Sequence, residues 1–156
     1  MNRKETTKFL GELLISQRFH RKIYASEVSL DYGTVNVKRV DFMEFEPAGV
    51  VFQSDIEKGI FSCYEVKSCK EDVYSGNGLN FVGEKNYIVT TMQCYKDIQE
   101  DLRNGILHNH IKNCNPESSP YFGIIVPVPE YVDAMSEFEN PSQFDRSCSW
   151  KMHTIL

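Results

Sequence analysis

The segment GIFSCYEVKS, residues 59–68, limits what this chain can fold into more than any other stretch. It is rich in strand formers, yet it carries a carboxylate and an amine two positions apart, Glu65 and Lys67. Side chains alternate between the two faces of a strand, so both charges share a face with Phe61 and Cys63. The run TVNVKRVDFMEF (34–45) repeats the pattern and puts Asp41 on a face with Val35, Val37, Met43 and Phe45. Both faces read as partly buried. Burying an isolated charge costs several kcal/mol unless it is paired or bound to a metal. A fold that accepts two acids and an amine in such places must compensate them.

The rest of the chain supplies the frame. Asn2 and Glu5 have the spacing of a capping box, and Phe9, Leu10, Leu13 and Leu14 then give one apolar helical face to about Ser16. IYASEVSL (23–30) and TVNVKRVDFMEF predict a β-hairpin across Asp31, Tyr32 and Gly33. The third strand is 59–68, and residues 69–85 read as a loop with one helical turn. NYIVTT (86–91) is a fourth strand, followed by a helix from Cys94 to Arg103 with Gly105 as its cap. The residues after that cap, with His108 and His110, read as a polar connection. The nearly continuous apolar run YFGIIVPV (121–128) predicts a buried strand. Asn140 and Pro141 mark the start of a last helix, with Phe144, Cys148 and Ile155 on one side. This order predicts an α/β fold, a mixed sheet flanked by helices.

A length of 156 residues suits one domain, taken as 1–156. Hydrophobic residues make up 41% and charged residues 25%, as in an ordinary globular chain, and no apolar run reaches the length of a bilayer span, so no membrane partner is expected. The first sixteen residues read as a helix of the mature fold rather than a signal peptide. Five cysteines, an odd number without a CxxC pair, predict reduced thiols and a cytoplasmic location. Net charge is −5, which disfavours a nucleic-acid partner overall. Residues 1–40, however, carry eight Lys or Arg against four Asp or Glu, a basic segment able to face phosphates.

Chemically, Asp41 and Glu65 on adjacent strands form an oxygen donor pair for Mg²⁺ or Mn²⁺. Val66 points its side chain to the opposite face, which leaves its backbone carbonyl free to join the same metal. Lys67 returns to the metal side, where it can orient or deprotonate water and stabilise charge on a phosphate.

Val40-Asp41, 23 intervening residues and Glu65-Val66-Lys67 resemble the motif of the PD-(D/E)XK nuclease superfamily. SEVSLDYGTVNVKRVDF, YEVKSCKEDV, NYIVTT and FGIIVPV are similar to its MmcB-like branch, associated with DNA repair. That resemblance spans about residues 20–128. It implies a restriction-endonuclease-like core with the site at one edge of the sheet, a divalent metal, and DNA as substrate. It also implies Glu27 as an additional acid at the site. Many nucleases of this kind work as dimers, so a homodimer is a further expectation, although no interface is readable in the residues.

Other residues compete for these roles. Asp55 is the rival partner for Glu65, but SDIEKG reads as a turn, and Asp41 is preferred. Lys70, Glu71 and Asp72 read as a solvated loop following the site. His108, His110, Cys94 and Cys114 offer zinc-ligand types at a spacing that matches no structural site. The function expected is metal-dependent hydrolysis of DNA. The rival of a different class is an inactive nuclease-fold binding protein, an inhibitor or adaptor, favoured by the acidic balance after residue 40.

Overall fold

The computed structural model describes residues 1–156. Helix α1 (Arg3–Arg18) begins at the capping box: the Asn2 side chain accepts the Glu5 N–H, and the Glu5 carboxylate accepts the Asn2 N–H, each at 2.9 Å. Amide donors that a helix start leaves unpaired are satisfied this way. The apolar stripe of α1 buries Phe9, Leu10 and Leu14. Gly11 in that stripe allows a close approach to the sheet, since a Cβ there would stand 3.2 Å from the Phe42 ring.

The strands are β1 (Ile23–Leu30), β2 (Lys38–Pro47), β3 (Gly59–Lys67), β4 (Lys85–Thr90), β5 (Gly123–Pro129) and β6 (Trp150–Thr154). They form one six-stranded sheet in sequence order. β1, β2 and β3 are antiparallel neighbours, β3, β4 and β5 are parallel, and β6 returns antiparallel to β5. The mixed α/β architecture is therefore the one the hydrophobic pattern predicts. Short helices α2 (Gln53–Glu57) and α3 (Lys70–Val73) follow β2 and β3. Helices α4 (Met92–Arg103) and α5 (Ile106–Cys114) make the crossover from β4 to β5, and α6 (Ala134–Glu139) follows β5.

Helix α1 covers one sheet face, packing Leu10, Leu14 and Phe19 with Tyr64, Val66, Val89 and Ile125. Helices α4 and α5 cover the other, where Ile98 and Leu107 meet Ile88, Ile124 and Val126. The central strands are thus buried on both sides, which explains the uninterrupted apolar run of β5. No helix is long and apolar enough to cross a membrane, and all five cysteines are free thiols.

Three local expectations are corrected. The hairpin's second strand starts at Lys38 rather than Thr34; Val35 is 98% exposed in the connecting turns, so neither it nor Val37 shares a buried face with Asp41. The polar connection after Gly105 is helix α5, whose buried face is Leu107 and Ile111. Gly105, at φ +74°, links α4 to α5 in the left-handed region. Finally, the chain end is a strand. Residues 140–149 form no helix, and the two-residue alternation of Trp150 and Met152 with Lys151 and His153 pairs with β5. The Gln17 side chain of α1 clamps this strand, donating to the Trp150 carbonyl and accepting the Met152 N–H at 2.7 Å. A strand satisfies the outer edge of β5, which a helix would leave unpaired.

Candidate active site

The site lies at the carboxyl end of β3, where the β2–β3 ladder stops. Register pairs run from Pro47 with Gly59 to Phe42 with Tyr64, and the next positions would match Asp41 with Glu65. The Asp41 carboxylate replaces the ladder there: its Oδ2 accepts the Val66 N–H at 2.8 Å. The N–H and C=O of a strand residue point the same way, so the Val66 carbonyl also faces the gap between the two strands. Asp41, Glu65, Val66 and Lys67 all line one open cavity of about 570 Å³.

Glu65 is the unusual group. It is 2% exposed, and its Oε1 is buried without a hydrogen-bond partner. Burial and the neighbouring Asp41 charge push its carboxyl up to about 8, against the smaller opposing pulls of Lys67 and the Asn80 N–H. Lys67 is 5% exposed, and its Nζ donates to the Asn77 carbonyl at 2.7 Å and stands 3.8 Å from Asp72 Oδ1. Asp72 is itself fixed by the Ser68 N–H and hydroxyl at 2.9 and 3.0 Å. Gly78, at φ +70°, seals this corner: a Cβ there would meet Glu65 Oε2 at 2.9 Å and Lys67 Nζ at 3.3 Å. The acid and the amine therefore sit around one backbone position that only a residue without a side chain fits.

The donor set fits a hard divalent cation. Two carboxylates and a carbonyl are all oxygen ligands, and the unpartnered Glu65 oxygen is the kind of buried lone pair that a cation satisfies. No group of three or more His, Cys, Asp or Glu side chains converges. A Mg²⁺ or Mn²⁺ site of the expected kind would use one or two carboxylates, with water and phosphate completing the shell.

Not every expected residue joins. Glu27 falls opposite Asp41 in the β1–β2 register, has φ +54° and pairs with the Arg39 guanidinium; Arg39 lines the cavity and Glu27 does not. Asp55 caps α2 by accepting the Phe52 N–H at 3.1 Å, which removes it as a rival. The zinc-type residues do not assemble: Cys94 is buried, Cys114 is exposed, and only His110 and Cys114 approach, at 3.7 Å. Conversely, Asp72, Asn77, Gly78, Asn80 and Asn115 belong to the cavity although the spacing of residues 69–85 and 115–120 shows only loops. The Gly76-Asn77-Gly78 triplet was the available signal, because two glycines around an amide mark a tight backbone path.

No family model, no curated protein and no solved structure matches this chain.

Proposed function

We propose that the protein is a metal-dependent nuclease of the PD-(D/E)XK type that hydrolyses phosphodiester bonds in DNA, in keeping with its resemblance to the MmcB-like repair branch. The observation that carries this reading is the Glu65 carboxyl: buried, half unpartnered, beside Asp41 and within reach of the Lys67 amine. Asp41, Glu65 and the Val66 carbonyl would hold Mg²⁺ or Mn²⁺, which supplies Lewis-acid stabilisation of charge on the scissile phosphate.

The chain's own groups do the rest. The Asn77 carbonyl accepts one Lys67 N–H at the cavity wall and the Asp72 carboxylate stands nearby, so the other ammonium donors can bind a phosphoryl oxygen or orient the attacking water. Asp41 is held in place by the Val66 N–H, which keeps one oxygen for binding. Arg39 lies two residues before Asp41 on the cavity wall, with its guanidinium engaged by Glu27.

The deciding experiment is cleavage of labelled DNA with Mg²⁺ or Mn²⁺ by wild type, Asp41→Asn and Lys67→Ala. The proposal expects metal-dependent cutting by wild type and a loss of about 10²-fold or more in either variant. Equal behaviour of all three, with or without metal, sinks catalysis and leaves a nuclease-fold binding protein.

A further inference from the structure

A second cavity of about 490 Å³ opens beside the first and shares Val37, Lys38, Asn80 and Asn115 with it as a common wall. Its far side comes from the loop after α5, with Glu117. Lys38 at the start of β2 spans the gap, with Nζ 3.8 Å from Glu117 Oε2; their side chains are 28% and 88% exposed. That separation exceeds hydrogen-bond length, and an ion pair with so exposed a partner contributes little. The ammonium is therefore held loosely between two cavities, ready for a stronger anion.

The common wall is also chemically suited to a nucleotide. Asn80 donates its amide to the Arg39 carbonyl at 2.9 Å, and Asn115 donates to the Gly78 carbonyl at 3.1 Å. Each carboxamide is thereby fixed in orientation with its oxygen left as an acceptor for a base or sugar edge. Asp31 and Glu117 on the second cavity repel a phosphate, which confines the anion to the Lys38 side. Lys38 and Glu117 reach toward each other from opposite walls, so two side chains span the gap between them.

Resting on the nuclease reading, we propose that this second cavity is a subsite for the nucleotide next to the scissile phosphate of a single-stranded substrate, with Lys38 as the phosphate ligand. Lys38 leaves Glu117 to engage the strand. It acts on binding and register and does not touch the reacting atoms.

The test is fluorescence anisotropy with a labelled oligothymidylate in Ca²⁺, its blunt duplex as competitor, and salt varied from 50 to 200 mM. Wild type prefers the single strand. Lys38→Ala weakens it several-fold and removes one phosphate contact from the salt dependence, a slope change of roughly 0.7, or about 2.6-fold less loss across the range. Glu117→Gln acts in the opposite direction and tightens binding, because the cation is released. The oligonucleotide slows alkylation of the exposed Cys114, which lines this cavity, and not of the exposed Cys148, which does not. Wild-type affinity in both variants, shifts of the same sign, or equal competition by duplex overturns the subsite. A protein that binds in the expected pattern but cuts nothing with Mg²⁺ keeps the subsite and loses the nuclease reading. One that cuts DNA while Lys38→Ala binds as wild type keeps the nuclease reading and loses the subsite.

Discussion

Replacing Glu65 with Gln should stabilise the metal-free protein, and should do so only where the wild-type carboxyl ionises. Burial first, and the Asp41 charge second, raise this carboxyl from 4.5 to about 8 in the folded chain. A raised acid favours the folded state at low pH; that advantage is complete below the unfolded value and is lost as pH climbs toward the folded one. Each unit of difference is worth about 1.4 kcal/mol. Between pH 5 and pH 8, ionisation of Glu65 therefore costs the folded state on the order of 3–4 kcal/mol. Glutamine keeps the shape and removes the titration. Any lost contact with Lys67 adds a pH-independent offset, so the quantity to read is the difference between the two pH values. Urea unfolding in a chelating buffer, followed by the fluorescence of Trp150, the single tryptophan, measures it directly. Groups common to both proteins cancel. If the substitution changes stability by the same amount at pH 5 and pH 8, to within about 1 kcal/mol, the carboxyl is not held out of water as described.

Two further outcomes follow from the same corner. Mg²⁺ must displace the Glu65 proton below pH 8, so calorimetric affinity should rise nearly 10-fold per pH unit from pH 6 to pH 7, with close to one proton released; pH-independent binding would remove Glu65 from the ligand set. Gly78→Ala places a methyl against Glu65 Oε2 and Lys67 Nζ at a positive φ, and should cost on the order of 1–3 kcal/mol in thermal or urea unfolding and abolish tight Mg²⁺ binding; a variant that binds Mg²⁺ as wild type would show that the corner yields freely.

What could be read from the residues depended on the range of the signal. The first five strands were legible because their strand formers stand out between turn signals, and β5 announces burial on both faces through its apolar run. Asp41, Glu65 and Lys67 were legible because charges inside such periods demand an explanation. The end of the chain was not: Phe144, Cys148 and Ile155 mimic a helical face, while the strand at Trp150–Thr154 is decided by the open edge of β5, a tertiary fact. Glu27 rested on the resemblance alone; its left-handed backbone and its pairing with Arg39 are tertiary facts that no local pattern encodes. Asn80 and Asn115 are separated from the acids by loops whose path no local pattern encodes.

The clamp that Gln17 places on β6 joins the first helix to the last strand, and this has a consequence for manufacture and for breakage. Without residues 150–156, Ile125, Val126 and their neighbours would present a bare row of amides and carbonyls on a flat apolar ribbon, the template on which chains add to one another. Residues 150–156 thus cover an edge that would otherwise be open to pairing with another chain. Proteolytic nicking in the 140–149 segment would loosen this cover without touching a residue that lines the candidate site.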